Sequence, residues 1–380
     1  MANTLGVYNP VFYAQEALIQ LEKSLGMANR VYMGFDEERR AFGLGETINI
    51  RKPSTFTVAA APATAADVTT ETVSMTLDNW REVKFKLSDK ELAFSGERII
   101  NDHIRPAAYA LANDIDEKLV ALTPDIGNQI AGGTWGPSVI TQGRKALFDQ
   151  GVPLSDVGNL HGMVGGLEES QLLADSAFSQ MQGAGDQGVA TQMRGTLGTK
   201  YGFEFFANQN IASAVASTPS DLAGAVDNGA GYAKGSTTVH IDAIGDVAHE
   251  AGMGVSFAGH AKIYSLASTT TGSGNEGDFV LREGLQEAIA DGEVVTFHSA
   301  VVGVQNLMFH KNAFGLVMAP LSEMGNELGA NIATVTDPVT GLSLRSRVYY
   351  VGNSSEVHVA LDVLYGVKTL DSQLACRIGG

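Results

Sequence analysis

The stretch that decides the fold of this chain is Phe309–Gly380, which reads FHKNAFGLVMAPLSEMGNELGANIATVTDPVTGLSLRSRVYYVGNSSEVHVALDVLYGVKTLDSQLACRIGG. Four short motifs follow one another in it: F-H-x-x-A-F from Phe309, D-x-x-T-G-x-S-L-R from Asp337, L-D-x-L-Y-G-V from Leu361, and a closing R-I-x-G from Arg377. None of the four contains a pattern of catalytic residues. Their order along the chain is the main clue to its function.

Length and composition indicate a folded protein of more than one domain. The chain has 380 residues, enough for two or three domains, and is 44% hydrophobic and 18% charged. It lacks a run of about eighteen apolar residues, the length that a membrane-spanning helix needs. Cys376 is the single cysteine, which excludes an intramolecular disulfide and favours a reducing compartment. The first residues show no secretory signal pattern, so we expect synthesis in a cytoplasm.

The chain is strongly acidic. It has 42 acidic and 25 basic side chains and a formal net charge of −17. A protein that grips nucleic acid by neutralising phosphates needs a basic surface, which this composition argues against. An acidic wall can still enclose a polyanion without adhering to it. The simpler alternative is that the charge only keeps the protein soluble.

The N-terminal third predicts a helix, an extended hairpin and a second, longer helix. Residues 9–26 fit a helix, with Pro10 at its first position and Gly26 at its end. Residues 46–87 alternate with the period of strands, and the small residues 59–67 form the predicted hairpin tip. Residues 97–122 have apolar side chains at spacings of three and four, and Pro106 predicts a kink or break in that helix.

The rest of the chain predicts a mixed region followed by a block of short strands. Residues 136–148 and 167–181 predict helices, 201–206 a strand, and 212–235 a connector. The block after the connector predicts a small antiparallel barrel or sandwich. Its predicted strands are Thr237–Ile241, Val255–Phe257, Lys262–Leu266, Phe279–Arg282 and Val294–His298. Its predicted core residues are Val239, Ile241, Val255, Phe257, Ile263, Leu266, Val280, Leu281, Val295 and Phe297.

Patterns that would indicate an enzyme are weak. Gly183–Gly188 matches G-x-G-x-x-G, but it lacks the preceding strand and following helix that dinucleotide binding requires. The strand block contains His240, His249, His260 and His298 at spacings that do not form a structural zinc motif. We therefore expect no catalytic residue, no cofactor, no metal site and no enzymatic activity. An enzyme that binds a nucleotide through the glycine loop is the minor alternative.

The order of motifs resembles the major coat proteins of tailed bacteriophages. Besides the four C-terminal motifs, Leu77–Asp125 resembles the segment that leads into the long "spine" helix of those proteins, and Thr196–Phe203 resembles their L-G-x-x-x-G-F turn. The inserted strand block is similar to the one in coat proteins of short-tailed Salmonella phages. The resemblance covers most of the chain in order.

Membership of that family would imply an α+β, HK97-like fold with an inserted small β-barrel-like domain. The implied segments are an N-terminal arm (1–33), an extended hairpin loop (34–77), a peripheral domain with the spine helix (78–125), the first part of the axial domain (126–219), the inserted β-domain (220–300), and the C-terminal axial and peripheral strands (301–380).

The resemblance also implies a function. It predicts a structural protein that assembles as pentamers and hexamers into an icosahedral shell around double-stranded DNA, without sequence-specific binding and without a membrane. Scaffolding protein and portal are the implied partners, and the virion, assembled in the host cytoplasm, is the implied location. A related encapsulin-type nanocompartment shell is the alternative.

Apolar residues of the predicted arm and hairpin need a cover, either from a neighbouring subunit or from the same chain. They are therefore the candidates for the assembly interface: Phe12, Leu18, Phe56, Val58, Met75 and Trp80.

Overall fold

The structure is a computed structural model that describes residues 10–33, 47–51, 60–61, 72–88, 103–180, 191–214, 220–298, 303–323, 331–337 and 341–380. The chain forms two compact units. The first comprises Met1–Leu25, Tyr32–Ile115 and Gly315–Lys368, and the second comprises Gly26–Val31, Asp116–Phe314 and Thr369–Gly380. The division into six segments expected from the sequence stays a prediction.

The helices of the described residues are α1 (Pro10–Ser24), α2 (Arg105–Val120), α3 (Pro137–Asp149), α4 (Gly166–Ala174) and α5 (Ser176–Ser179). The strands are β1 (Thr47–Arg51), β2 (Thr72–Thr76), β3 (Asn79–Ser88), β4 (Gln129–Ile130), β5 (Leu160–Val164), β6 (Thr199–Lys200), β7 (Phe203–Ala207), β8 (Ser213–Ala214), β9 (Ala223–Val226), β10 (Thr238–Asp242), β11 (Ala248–His249), β12 (Gly254–Phe257), β13 (Ile263–Ser265), β14 (Thr270–Thr271), β15 (Glu276–Val280), β16 (Val294–His298), β17 (Gly303–His310), β18 (Phe314–Ala319), β19 (Asn331–Thr336), β20 (Ser343–Val351), β21 (Glu356–Thr369) and β22 (Ala375–Gly379).

The first unit is built on one sheet with the order β18-β21-β20-β19, in which β3 also pairs with β21. The strand β21 is antiparallel to β20 from Asp362 to Glu356 and to β3 from Tyr365 to Glu356. The helix α1 packs on β19 and β20. Tyr13, Ala17 and Leu21, spaced by four residues, are buried there, so the chain itself covers this side of α1, while Ile19 is exposed.

The helix α2 begins at Arg105, with Pro106 in its first turn. A first-turn residue needs no intrahelical N–H donor, so proline is tolerated at this position, and the kink or break expected at Pro106 stays a prediction. The predicted apolar spacing is confirmed from residue 104 onward, where Ile104, Ala108, Leu111 and Ile115 are buried. Residues 97–102 lie outside the described residues.

The predicted hairpin is confirmed where the structure describes it. The strands β1 and β2 pair antiparallel, with Ile48 opposite Met75. Both side chains are buried. The other residues of β2 are exposed or half-buried. Most of the predicted tip, 59 and 62–67, lies outside the described residues.

The second unit contains a mixed sheet with the order β4-β22-β17-β5-β7-β6. Two of its pairs, β22–β4 and β5–β7, are parallel. Apolar residues of α3, α4 and α5 pack with this sheet in one core that includes Ile140, Leu172 and Phe178. The helix predicted over 167–181 is two helices, because Asp175 leaves the helical conformation and its carboxylate accepts a hydrogen bond from the N–H of Ala177, which caps α5.

The strand block folds as the predicted small barrel. Its sheet has the antiparallel order β13-β12-β16-β9-β10-β15, and a bridge between Leu266 and Leu281 joins the two end strands. Eight of the ten predicted core residues are buried. Val280 is 37% exposed, because Phe279 takes the inward position on β15, and Ile263 is only half-buried, because Tyr264 points inward beside it.

The barrel also contains a strand that the sequence analysis placed in the connector, β9. It was missed because Ala223, Gly224 and Ala225 have too little side chain to show a strand pattern. The small size is required: a Cβ on Gly224 would lie 2.7 Å from Cγ2 of Ile241 on the paired strand.

The barrel core is separate from the core beneath the mixed sheet, and polar contacts join the two regions. The guanidinium of Arg377 on β22 bonds Gln129 Oε1 at 2.9 Å and the carbonyl of Gly252 in the barrel. Burial lowers the pKa of Arg377 to about 10, so it remains charged at neutral pH. Arg282 of the barrel pairs with Asp125 at 2.9 Å. The barrel is therefore docked by one ion pair and by the hydrogen bonds of Arg377, as well as by its connecting segments.

The third C-terminal motif has a steric explanation that can be tested. A Cβ on Gly366 would lie 2.2 Å from the backbone oxygen of Thr76, which cannot move aside as a side chain would. We expect Gly366→Ala to lower the free energy of unfolding by about 1–3 kcal/mol, measured by urea denaturation. Gly352→Ala, in a turn with open space around its Cα, is the matched control and should change stability little. Equal stability of the two variants would contradict the steric account.

Candidate assembly surfaces

The six predicted interface residues have different surroundings. Leu18 and Met75 are 7% and 1% exposed, so the chain itself already buries them. Trp80 is 58% exposed on β3 and is the one of the six with an exposed side chain among the described residues. Phe12 lies in α1, with its side chain outside the described set, and Phe56 and Val58 also lie outside it. An interface role for the six stays a prediction.

Trp80 is held in place by a buried charge cluster. Its indole N–H donates to Oδ2 of Asp362 at 3.1 Å, and the Arg345 guanidinium lies 6.0 Å from its ring. Asp362 is fully buried, and its carboxylate pairs with Arg345 at 2.5 Å and Arg347 at 3.4 Å. Such a paired and fixed aromatic side chain presents a rigid apolar face at low entropic cost.

The second unit has an exposed apolar patch next to α3, here called the Phe148 patch and formed by Arg144, Phe148, Val157 and Tyr201. Phe148 is 68% exposed and lies one helical turn beyond Arg144. The guanidinium of Arg144 donates to the carbonyl of Tyr201 at 2.7 Å, which fixes the turn that carries this tyrosine. A patch of an exposed phenylalanine, a valine and a tyrosine around an arginine has the composition of protein interfaces.

The segment Gly26–Val31, which follows α1, is held in the second unit by a buried carboxylate, and this set of contacts is here called the clasp. Asp116 accepts hydrogen bonds from the N–H of Gly26 at 2.7 Å and of Ala28 at 3.0 Å. Burial raises the pKa of Asp116, and the N–H donors of Ala28, Gly26 and Met27 act against that rise. Gly26 permits this contact, because a Cβ there would lie 2.8 Å from Oδ2 of Asp116.

A charged cluster completes the clasp. Arg30 pairs with Glu204 at 2.8 Å and stacks on Phe206 at 4.2 Å, and Glu204 also lies 3.3 Å from Nδ1 of His161. Burial lowers the pKa of His161 to about 4, despite the opposing charge of Glu204. Burial tends to raise the pKa of Glu204, but the hydrogen bond and charge of Arg30 hold it below its usual value.

The sequence pattern does not predict the clasp, although one signal of it is present. Asp116 lies on the apolar side of α2, between the buried residues Ala112 and Leu119. A charged residue at such a position has to find polar partners inside the protein. Arg30 and Glu204 gave no comparable signal, since they are 174 positions apart in the sequence.

The four histidines of the strand block have separate environments. His249 is buried and packs edge-on against Phe279 and at a tilt against Phe297, His260 lies 3.3 Å from the Tyr264 hydroxyl, and His298 bonds Ser256. His240 lies on the barrel surface among carboxylates. The glycine loop 183–188 lies outside the described residues. Among the described helices, none has the length and hydropathy that a membrane crossing requires.

The clasp predicts a stability effect. Asp116→Ala should lower the free energy of unfolding by about 2–3 kcal/mol, because two backbone N–H groups lose a charged acceptor. Glu117→Ala, at the exposed next position of α2, is the control and should change it little. Chemical denaturation compares the two; a loss in both of similar size would contradict a specific role for Asp116.

The low pKa of His161 predicts a pH effect. Between about pH 6.5 and pH 4 the imidazole of His161 is protonated in the unfolded chain and neutral in the folded protein. The free energy of unfolding therefore falls as the pH decreases through this range. His161→Gln should make this fall smaller by about 1–3 kcal/mol. Denaturation at several pH values measures both proteins, and parallel curves would contradict the assignment.

Comparison with known proteins gives a match at the level of structure. No family model and no curated protein matches the sequence. The fold is similar to a structure from Mycobacterium phage Che8, with a TM-score of 0.52 and 14% identity over 94% of this chain and 92% of that chain.

Two further structures overlap less well. The capsid structure of the Cyanophage P-SCSP1u has a TM-score of 0.43 and 9% identity, over 92% of this chain and 85% of that chain. A virus-like particle from Pyrococcus furiosus has a TM-score of 0.39 and 8% identity, over 97% of both chains. The α+β, HK97-like fold expected from the sequence is confirmed.

Proposed function

We propose that this chain is a major capsid protein, the repeating subunit of a bacteriophage shell. The observation that carries the proposal is the overlap with the Mycobacterium phage Che8 structure, which extends over 94% of this chain and 92% of that chain. An overlap of that extent includes both compact units and leaves little of either chain unmatched. The order of the C-terminal motifs supports the same function independently.

Assembly into a closed shell needs surfaces that copies of one chain can share. The Phe148 patch and the Trp80 face are fixed, partly apolar and uncovered by the described parts of the chain, which suits a contact with a second copy. We infer that copies join as pentamers and hexamers of an icosahedral shell. The fold does not by itself require an enzymatic activity, and the proposal assigns none.

The contents and partners follow from charge and family resemblance. A net charge of −17 gives an acidic wall, which can enclose double-stranded DNA without gripping it. Scaffolding protein and portal are the proposed partners, with assembly in the host cytoplasm and the virion as the final location. The finer likeness to coat proteins of short-tailed Salmonella phages, expected from the sequence of the strand block, stays a prediction.

The proposal predicts that a change in the Phe148 patch separates assembly from folding. Phe148→Ser should leave the unfolding transition unchanged, because the side chain is exposed in the subunit. It should raise the concentration needed for assembly by roughly tenfold or more, because an apolar side chain no longer leaves water at the contact. Sedimentation velocity with scaffolding protein present measures the assembled fraction.

Gln142→Ser is the matched control, since Gln142 is an exposed residue of the same helix that points about 120° around the helix axis from Phe148. It should assemble like the parent. Normal assembly of Phe148→Ser would show that the Phe148 patch is not part of the interface. A parent protein that stays at the size of one ~40 kDa subunit, whatever the scaffold concentration, would contradict the proposed function itself.

A further inference from the structure

The outer side of the barrel brings one histidine and four carboxylates together. His240 lies at the middle of β10, directly opposite Asp278 of β15, while Asp242 on the same side of β10 is opposite Glu276. Asp227 follows the end of β9, and its N–H donates to the carbonyl of His240 at 3.1 Å. The sheet pairing therefore brings together residues that are up to about fifty positions apart in the sequence. For that reason their spacing forms no recognisable motif.

The distances between ligand atoms suit a metal ion. One ligand atom from each of Asp227, His240 and Glu276 lies within 4.8 Å of the other two. Nε2 of His240 is 3.6 Å from Oε2 of Glu276. Two ligands bound to one ion at about 2.0–2.1 Å in tetrahedral geometry would be roughly 3.4 Å apart, so only small side-chain movements are needed.

The imidazole is held in the orientation that metal binding requires. Nδ1 of His240 lies 2.7 Å from Oδ1 of Asp278. A carboxylate only accepts hydrogen bonds, so Nδ1 carries the proton and a neutral imidazole has its lone pair on Nε2, the atom that faces Glu276. A carboxylate that fixes a histidine in this way is a common second partner of metal-bound histidines.

The local charge also favours a cation. The strands β9, β10 and β15 contain neither lysine nor arginine. Oδ1 of Asp242 is buried without a hydrogen-bond partner, so one more negative charge on this side of β10 is incompletely compensated. A divalent ion would neutralise charge that the strands themselves leave unbalanced.

We propose that Asp227, His240 and Glu276 bind one divalent transition-metal ion, of which Zn²⁺ is the representative, with Asp278 as the positioning residue for His240. A nitrogen ligand together with two carboxylates favours such an ion over Mg²⁺ or Ca²⁺, which prefer oxygen ligands alone. The site would leave at least one coordination position open to water or to a side chain of another molecule. It lies outside every surface assigned to assembly above, and it does not depend on the proposed function.

Isothermal titration of the chelator-treated full chain with ZnCl₂ tests the proposal. We expect one saturable site per chain that Mg²⁺ at the same concentration does not block. His240→Ala should abolish this site, and Asp278→Asn should weaken it by roughly 10- to 100-fold, the usual effect of removing a residue that orients a ligand. Glu276→Gln, an exposed and nearly isosteric change, should also abolish it.

His260→Gln is the control, because His260 belongs to the same barrel but contacts Tyr264 instead of carboxylates. It should bind Zn²⁺ like the parent. Melting curves recorded without zinc check that each variant is folded. Binding that survives both His240→Ala and Glu276→Gln would be nonspecific and would overturn the site. Absence of saturable Zn²⁺ binding in the parent would also overturn the proposed site. The His240 imidazole would then only pair with its neighbouring carboxylates.

Discussion

The first unit depends on the long strand β21 and on the charge buried in it. Asp362 is fully buried, so its carboxylate has to be neutralised inside the protein, and Arg345 and Arg347 on β20 do so. Removing one partner of such a buried pair typically costs about 3–5 kcal/mol. The pairing fixes the register of β20 on β21, and β3 pairs along the other edge of β21. Trp80 lies on β3, and its indole N–H donates to the same Asp362 carboxylate. The pairing of β3 with β21 therefore also determines the position of Trp80.

The second unit contains two separate apolar cores that have to be joined. The core under the mixed sheet and the barrel core do not merge, and buried polar groups such as Arg377 connect the two regions. Polar contacts are directional, so they hold the barrel in one orientation more specifically than an apolar contact would. Asp116 does the same for the segment after α1. A substitution at these few polar positions should therefore disturb the arrangement more than a change of similar size in either core.

The sequence predicted best where a side-chain pattern repeats. Pro10 and Gly26 at the ends of α1, the periodic apolar residues of α2 and the alternation in β1 and β2 located these elements correctly. Patterns could not show β9, which consists of small residues selected for close packing, nor the cap that Asp175 makes inside the expected helix 167–181. The clasp and the His240 cluster join residues that are distant in sequence, so their partners are known only from the folded structure, even though Asp116 on the apolar side of α2 indicates a buried polar contact. The effect of Pro106 depends on how far it lies from the helix start, which the apolar spacing of the sequence does not show.

We propose that this fold serves to build a closed shell from many copies of one chain. Electron cryomicroscopy of the purified protein, after assembly with its scaffolding protein, tests it most directly. The account predicts isometric particles whose reconstruction shows icosahedral symmetry, with the chain fitted as pentamers and hexamers and with the Phe148 patch between neighbouring copies. Particles of only one or two subunits under every assembly condition, or open filaments without icosahedral symmetry, would contradict it.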